Sequence, residues 1–341
     1  MSTTLTLARG ARLFVRAAPF ELEHDAPLAE LALAYELQGP QDAPLLLVQG
    51  GISSDPHVAP SADDPSSGWW NAQVGPGRAL DSDRFRVLSL EFLGKRDDAV
   101  VSSGDQARAT ALLLEELGVD VLHAAVGASY GGMVALRFAA LFPERVERVV
   151  AISAADRTRP FAAGLRAVQR RLLALGRASG AASATAREAV ALARALGLLS
   201  YRSPAELDER FAGAPSGAPS DDRFAAPRRF PIEEWLLGKG RRFAQRFDGA
   251  ALARLSLAID LHEVDVAAIR ARTTFVAADP DLLVPPEQVE PLAARCGGPA
   301  RFVRLHSRFG HDAFLKEEAV LAPLLAELIA EPIRATTGGA R

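Results

Sequence analysis

The sequence predicts an α/β fold whose mostly parallel central sheet carries an inserted helical cap. Short apolar runs alternate with amphipathic helical patterns from residue 45 to residue 153, which is typical of a parallel sheet covered by helices. A glycine-rich turn at residues 127–132 joins one of these apolar runs directly to a helical pattern. From residue 160 to about residue 247 the pattern is helical and contains no strand, which predicts a cap inserted between two parts of the sheet.

The composition restricts the class of protein. A chain of 341 residues is long enough for one large domain or for a domain with an inserted cap. Its 39 basic and 42 acidic residues give a net charge of −3, so neither nucleic acid nor an anionic membrane is expected as a partner. The single cysteine, Cys296, excludes an internal disulfide. No apolar run suits a signal peptide or a membrane helix, so we expect a cytoplasmic protein.

The first part of the core is predicted to span residues 1–158. Residues 1–40 alternate between polar and apolar side chains, as antiparallel strands do. The other elements predicted in this part are strands at 45–48, 86–90 and 146–152 and a helix at 108–117. Gly50 and Gly51 follow the strand at 45–48. They either leave backbone N–H groups free to face a ligand or only let the strand end in a tight turn.

The cap is predicted to span residues 159–247, and the second part of the core residues 248–341. The alanine- and arginine-rich cap sequence predicts helices at 161–175, 184–198, 204–212 and 231–246, with a mobile loop at 213–220. The elements predicted in the second part are helices at 249–260 and 313–330 and strands at 273–277 and 301–305. The cap could cover the active face of the sheet, form a dimer surface, or do both.

The turn from strand to helix carries the pattern Gly127-x-Ser129-x-Gly131, which is typical of a nucleophile elbow. Side chains two residues before and after the serine would clash in so tight a turn, and glycine at both positions removes them. Ser129 is therefore expected on a strained tip, with its hydroxyl exposed and the positive end of a helix dipole behind it. The alternative is a glycine-rich turn that contains a serine by chance.

A serine hydroxyl is a poor nucleophile at neutral pH and needs a base, which an acid in turn orients. In an elbow fold the order along the chain is serine, acid, histidine. Of the six histidines, His311 fits best, because it lies between the last strand and the last helix; alternatively it only caps that helix. His262, after a helix, is expected at the surface.

Two aspartates compete for the role of the acid. Asp281 is preferred, because Asp-x-x-Val-Pro places it where a strand ends before a turn, and Asp279 is the second choice. The developing oxyanion needs two hydrogen-bond donors. We expect these to be the backbone N–H groups of Tyr130 and Ile52.

Several segments carry a family resemblance. They are Gly-Trp-Trp at 68–70, Val-Gly-Pro-Gly at 74–77, Gly-Ala-Ser-Tyr-Gly-Gly-Met at 127–133, Arg-Phe-Asp at 246–248 and Gly-His-Asp-Ala-Phe-Leu at 310–315. Together they resemble the homoserine O-acyltransferases of the α/β-hydrolase superfamily, and the likeness runs from about residue 30 to residue 325.

The resemblance implies a ping-pong acyl transfer in methionine biosynthesis. Ser129 would attack the thioester of an acyl-CoA co-substrate, with His311 as base and Asp281 holding its imidazole, and the acyl group would pass to the hydroxyl of L-homoserine. The resemblance also implies that Arg170, on the first cap helix, holds the carboxylate of the amino acid and that Asp312 takes its ammonium group. No other cofactor and no metal are expected, and a homodimer is expected.

The sequence also departs from the family. Tyr130 stands where the family usually has methionine, but only its backbone N–H is needed. The region 92–104 is shorter than in relatives and borders the site, so acetyl-CoA and succinyl-CoA both remain open as donors, and serine could replace homoserine. Two alternatives are a plain serine hydrolase (an esterase or thioesterase), which uses water as acceptor and has no need of Arg170 and Asp312, and a binding protein with an inert Ser129. Taken alone, Arg170 could be one of many solvated cap arginines.

Overall fold

The computed structural model describes residues 7, 9–215 and 229–330. Its strands are β1 (Arg12–Arg16), β2 (Leu31–Gln38), β3 (Leu45–Gln49), β4 (Val74–Gly75), β5 (Leu80–Asp81), β6 (Arg86–Leu90), β7 (Ala124–Ala128), β8 (Arg148–Ile152), β9 (Arg272–Ala278) and β10 (Ala300–Leu305). The central sheet has the order β1-β2-β6-β3-β7-β8-β9-β10, and β4 pairs separately with β5. From β6 across to β10 all neighbours are parallel, whereas β1 and β2 are antiparallel additions. The predicted sheet type is therefore confirmed.

The helices of the described residues are α1 (Ser103–Glu116), α2 (Tyr130–Leu141), α3 (Pro160–Arg177), α4 (Ala184–Tyr201), α5 (Pro204–Arg210), α6 (Pro231–Ala244), α7 (Gly249–Asp260), α8 (Pro286–Arg295), α9 (Ala313–Lys316) and α10 (Glu318–Ala330). None of them has the length and hydropathy needed to span a membrane. Helix α1 begins earlier than the pattern predicts, because Ser102 and Asp105 cap it reciprocally through their side chains and backbone N–H groups.

The inner strands are apolar at nearly every position because both faces of the sheet are covered. In β3, Leu45 and Leu47 belong to the apolar layer on one face, whereas Leu46 and Val48 belong to the layer on the other. Helices α1, α2 and α8 contribute to the first layer and α10 to the second. Parallel strands end at the same edge of the sheet, so the loops that follow β3, β7, β9 and β10 meet there.

Helices α3 to α6 lie between β8 and β9 in the chain, where the cap is predicted. Helix α4 packs against both α3 and α6, and the three share a small apolar cluster of Leu173, Val190, Ala193 and Phe243. The predicted mobile loop at 213–220 lies partly outside the described residues, from residue 216 onward. The division of the chain at residues 158 and 247 stays a prediction.

One sequence expectation is wrong, and one helix has no counterpart among the predicted elements. That helix is α8, in which Pro286 occupies the first helical turn, where the missing N–H leaves no hydrogen bond unmade. His262 is buried rather than at the surface. Its Nδ1 lies 2.7 Å from the Ser103 hydroxyl and its Nε2 lies 3.1 Å from the Ala155 carbonyl oxygen. Burial lowers the pKa of His262 to about 4, so this ring stays neutral.

Candidate active site

Ser129 lies between β7 and α2, at the edge where the carboxyl ends of the strands meet. Its backbone has φ 54° and ψ −123°, and residues other than glycine rarely adopt such a positive φ. The Ser129 N–H donates to the carbonyl oxygen of Ile152 at 2.8 Å, which ties the turn to the neighbouring strand β8. The sheet thus stabilises a strained conformation that holds the hydroxyl at the tip of the turn.

The glycines of the turn have the role that the sequence predicts. A Cβ atom at residue 127 would lie 2.2 Å from the Gly131 carbonyl oxygen, and one at residue 131 would lie 2.4 Å from the Gln49 carbonyl oxygen. Both contacts are to backbone, which cannot move aside without disturbing β3 or α2. The expected clash is therefore confirmed. The turn requires glycine at both positions, so the motif is not a chance run of small residues.

His311 and Asp281 reach Ser129 from two other loops of the same edge. The Nε2 atom of His311 lies 2.8 Å from the Ser129 hydroxyl oxygen, and its Nδ1 lies 2.8 Å from Oδ2 of Asp281. The other carboxylate oxygen of Asp281 accepts hydrogen bonds from the N–H groups of Leu283 and Val284, at 2.8 and 2.9 Å. Acid, imidazole and hydroxyl form one continuous chain, with each carboxylate oxygen engaged.

Burial and the neighbouring charges determine the protonation of His311. Burial disfavours the protonated ring, but the charge of Asp281 and its hydrogen bond outweigh burial and raise the pKa of His311 above its ordinary value. An imidazole with a raised pKa takes up a proton readily, as a base in acyl transfer must.

Asp279, the second choice for the acid, lies elsewhere. Its carboxylate pairs with His306, whose side chain is exposed, and lies 3.5 Å from Arg304. Asp279 is bonded to the backbone of β10 through its own N–H, which donates to the Leu305 carbonyl oxygen. Of the two aspartates, the geometry brings only Asp281 to His311.

The backbone N–H groups of Ile52 and Tyr130 flank the serine. A Cβ atom on Gly51 would lie 4.0 Å from the Ser129 hydroxyl oxygen, so the loop after β3 runs directly beside it. Within the described part of the chain, neither the Ile52 nor the Tyr130 N–H has a hydrogen-bond partner. Lys95 fixes this loop by donating its ammonium group to the Ser54 carbonyl oxygen. The arrangement suits two donors for an oxyanion.

The side chain of Tyr130 packs against the region 92–104. Its ring is fully buried and contacts Phe92 edge-on, with ring centroids 4.9 Å apart. Its hydroxyl donates to the carbonyl oxygen of Val101 at 3.3 Å. Both partners belong to the region 92–104, so the Tyr130 side chain holds that region against the start of α2.

Ser129 opens into a cavity of about 190 Å³ between the sheet edge and the cap. Among its lining residues are Trp69, Ser153, Arg166, Arg194, Tyr201 and Asp312. Ser153, which directly follows β8, also has a positive φ of 49°. The cavity walls thus carry cations from cap helices and an anion from the loop that bears His311. In the described ranges no group of three or more histidine, cysteine or acidic side chains is arranged to hold a metal ion.

The structure does not bring Arg170 to this cavity. Its guanidinium donates to Asp260 at 2.6 Å and to the Ser256 hydroxyl at 3.1 Å, and it lines a different cavity, between α3, α4 and α7. Arg166, one helical turn earlier, lines the cavity of Ser129 instead and donates to the other oxygen of Asp260 at 2.6 Å. Both arginines pair with Asp260 of α7, but of the two only Arg166 lines the cavity of Ser129.

Asp312 lies where the sequence predicts, beside His311 and in the cavity wall. Burial raises the pKa of Asp312, against the opposing influence of His311, Arg202 and Arg194. The nearest guanidinium is that of Arg202, at 3.8 Å, and it is engaged more closely by Glu206 at 2.6 Å. The Asp312 carboxylate therefore retains capacity for a cationic group inside the cavity.

Sequence reasoning missed Arg166 and Arg194. Arg166 stands four positions before Arg170, so helical periodicity puts both on one face of α3 and could have made either a candidate. Arg194, on α4, reaches the site only through the packing of the cap helices, which leaves no local signal in the sequence.

Comparisons with known proteins agree with this geometry. Residues 43–318 match the alpha/beta hydrolase fold family. A homoserine O-succinyltransferase of Xanthomonas campestris pv. campestris is 43% identical over 84% of this chain and 76% of its own length. A homoserine O-acetyltransferase of Trichlorobacter lovleyi is 33% identical over 92% and 95% of the two chains. A serine O-succinyltransferase of Litchfieldella anticariensis is 32% identical over 94% and 98%.

Solved structures share the fold. A homoserine O-acetyltransferase from Bacillus anthracis superposes with a TM-score of 0.86 at 17% identity, over 96% of this chain and 100% of the other. Esterase E22 superposes with a TM-score of 0.82 at 22% identity, over 94% and 99%. Identities this low show the fold alone, whereas the sequence relatives reach further. The chain belongs to the alpha/beta hydrolase fold family and, within it, to the homoserine O-acyltransferases.

Proposed function

We propose that this acyltransferase transfers an acyl group from an acyl-CoA thioester to the side-chain hydroxyl of L-homoserine, by a ping-pong mechanism in methionine biosynthesis. The observation that carries the proposal is the hydrogen-bonded chain of Ser129, His311 and Asp281, which opens into a cavity with charged groups of both signs. A hydrolase needs the chain of three but not the charges, because its second substrate is water. An amino acid at neutral pH carries an ammonium group and a carboxylate, and the charged side chains of the cavity can bind both.

In the first half-reaction, the Ser129 hydroxyl oxygen bonds to the thioester carbonyl carbon while its proton passes to Nε2 of His311. The N–H groups of Ile52 and Tyr130 stabilise the resulting oxyanion. The carbon–sulfur bond then breaks, and the CoA sulfur leaves with the proton from His311. Asp281 keeps Nδ1 protonated throughout and stabilises the imidazolium.

In the second half-reaction, the homoserine hydroxyl gives its proton to His311 and attacks the Ser129 ester. Collapse of the second tetrahedral intermediate releases the O-acyl amino acid and returns the proton to Ser129. For this step the acceptor must exclude water and present its hydroxyl to Nε2. We propose that its carboxylate binds Arg166 and that its ammonium group binds Asp312. Arg170 then acts through Asp260, which holds both guanidinium groups.

Replacement of Arg166 by alanine is expected to raise the KM for homoserine by about 10- to 100-fold, because a charge-assisted bond to the substrate is lost. Formation of the acyl-enzyme from acyl-CoA should change little, since it precedes acceptor binding. Arg170→Ala should have a smaller effect of the same kind, and Arg171→Ala, an exposed position on the same helix, should have none. Steady-state kinetics with varied homoserine measure all three; an unchanged KM in Arg166→Ala would rule out its role.

Identification of the product tests the function as a whole. The protein is incubated with acetyl-CoA or succinyl-CoA and with homoserine, serine or no amino acid, and the esters are identified by mass spectrometry. We expect an O-acyl homoserine. Serine is the second candidate acceptor, because two relatives with 32% identity are serine O-succinyltransferases. Free carboxylic acid formed at the same rate without any acceptor would show an esterase or thioesterase instead.

We further propose that the protein is a cytoplasmic homodimer formed through the cap. Phe161, Val168 and Leu175 recur at seven-residue spacing on α3 and are 57%, 52% and 64% exposed. A stripe of this kind is typical of a helix that packs against another chain. The lone Cys296 favours a reducing compartment.

A charged substitution in this apolar stripe of α3 tests whether the protein is a dimer. Val168→Glu is expected to halve the mass in solution, as measured by light scattering, because a carboxylate cannot be buried unpaired in an apolar interface. Val320→Glu changes a valine on α10 that is 46% exposed; it serves as the control and should remain dimeric. A monomeric mass for the unaltered protein would refute the proposed assembly.

A further inference from the structure

The loop that carries His311 is held at both ends by side chains from distant parts of the chain. At its start, the hydroxyl of Ser203 donates a hydrogen bond to the Arg308 carbonyl oxygen. At its end, the indole N–H of Trp70 donates to the Phe314 carbonyl oxygen at 2.9 Å. His311 lies midway between these two anchor points.

The anchor at Phe314 follows from the local backbone. Phe314 lies in α9, a helix of four residues, so its carbonyl oxygen is at a helix end. Within the described ranges no backbone N–H donates to this oxygen. Trp70 is 2% exposed and supplies the missing donor. The ring of Phe314 meets that of His311 edge-on, with centroids 6.2 Å apart, so a displacement of Phe314 acts directly on the imidazole.

The anchor at Ser203 connects the same loop to the cap. Ser203 directly precedes α5 and caps it, because its hydroxyl oxygen accepts the Glu206 N–H at 3.1 Å. Gly310, next to the histidine, has φ 63°, and a Cβ atom there would lie 3.1 Å from the Ser203 nitrogen and 3.2 Å from the Pro280 carbonyl oxygen. The loop therefore passes closely between the start of α5 and the segment that carries Asp281.

His311 must meet two partners at once. Its ring lies 2.8 Å from the Ser129 hydroxyl oxygen and 2.8 Å from the Asp281 carboxylate. A misplacement of about 1 Å in a reacting group can cost on the order of 10²-fold in rate. We propose that Trp70 and Ser203 are positioning residues for this base, whose hydrogen bonds fix the backbone on both sides of His311 and so hold its ring between the two partners. The inference rests on the proposed function only through these catalytic residues and names no substrate.

Each anchor can be removed by a small change that has a matched control. Trp70→Phe removes the indole N–H and keeps an aromatic ring in the core. Its control is Trp235→Phe, because the indole N–H of Trp235 has no hydrogen-bond partner within the part of the chain that the structure describes. Ser203→Ala removes one hydroxyl. Its control is Ser183→Ala, which removes the equivalent N-cap from α4 but no bond to the loop of His311.

The first measurement is the rate at which a fluorophosphonate probe labels Ser129, which depends on the base and requires no acyl-CoA. Trp70→Phe and Ser203→Ala are each expected to lower this rate, and kcat for acyl transfer, by about 10- to 100-fold. The KM for acyl-CoA should stay within about twofold, because both half-reactions use the same base. The two control variants should react as the unaltered protein does.

The pH dependence of kcat/KM separates positioning from a general loss of stability. Burial lowers the pKa of His311, Asp281 and then Asp312 raise it, and Arg166 opposes them. A small displacement leaves the ring buried but weakens its contact with Asp281, so the pKa falls. The acid limb should therefore shift to lower pH in both anchor variants. In a variant that is only less stable, assayed below its unfolding temperature, the limb stays in place.

Labelling rates within about twofold of the matched controls in both anchor variants would overturn the inference. Slower labelling with an unmoved acid limb would overturn it too, as would a rise in the KM for acyl-CoA alone. Because Trp70 and Ser203 lie on different elements, either variant decides the matter if the other fails to fold. If the probe labels the unaltered protein but no acyl-CoA acylates Ser129, the proposed function fails, while the labelling rates still decide whether the anchors position the base.

Discussion

Ser129→Ala is expected to lower kcat for acyl transfer by a factor on the order of 10⁵ or more. The variant retains the oxyanion donors and the charged cavity but has no atom to which the acyl group can bond. A fluorophosphonate probe, which labels activated serines, should react with the unaltered protein and not with this variant. The fold should survive, because alanine at φ 54° is strained no more than serine and the N–H still donates to Ile152.

The measurement combines the rate of CoA release at saturating substrates with the intact mass of the protein after exposure to acyl-CoA. Thermal unfolding of the variant serves as the check on the fold. Activity that persists above about one percent of the original in a fully replaced sample would assign the nucleophile elsewhere. Absence of labelling in the unaltered protein would instead favour a binding protein with an inert serine.

Asp281→Asn is expected to lower kcat by about 10³- to 10⁴-fold. The carboxylate accepts the Nδ1 proton of His311 on one oxygen and two backbone N–H groups on the other. An asparagine can satisfy the backbone donors with its carbonyl oxygen, but its amide N–H₂ then faces Nδ1. That contact favours the tautomer with the proton on Nε2, which cannot accept a proton from Ser129.

The same variant has a predicted pH signature. His311 must be neutral to act as base, so kcat/KM falls as the pH falls through the pKa of this ring. In the unaltered protein Asp281 raises that pKa, and the acid limb should therefore have its midpoint above the ordinary value for histidine of about 6.5. Asp281→Asn removes the charge and the hydrogen bond that chiefly oppose burial, so the pKa of His311 falls and the residual activity should extend to lower pH.

Asp279→Asn provides the matched control, since it removes an aspartate from the same loop. Its carboxylate pairs with His306 at the surface, and we expect a change in kcat below about threefold. A large loss in Asp279→Asn with little loss in Asp281→Asn would contradict the assignment of the acid, as would an acid limb that stays in place in Asp281→Asn.

The parts of the site that depend on local geometry could be predicted from the sequence. The elbow is of this kind, because the clash that requires glycine at 127 and 131 involves backbone atoms within a few residues or on the next strand. The order serine, acid, histidine then leaves few candidates, and both His311 and Asp281 lie at the predicted strand ends.

The parts that depend on the packing of the cap could not be predicted with the same accuracy. Arg166 and Arg170 are one turn apart, and the position of α3 over the sheet decides which of them lines the cavity. Arg194 depends on the placement of α4 between two other helices. Helix α8 has no counterpart among the predicted elements for a different reason: it is short and contains two prolines, although Pro286 stands where a helix tolerates it.

The groups that face the cavity come from two kinds of element, the loops at the sheet edge and the cap helices. Ser129, His311 and Asp281 lie on loops that follow strands of the sheet, whereas Arg166 and Arg194 lie on inserted helices. Mutations in the inserted helices can therefore alter which substrates bind while the three residues that perform the acyl transfer stay unchanged. Evolution can explore new substrates in such an enzyme by small steps, without passing through forms that have lost their reactivity.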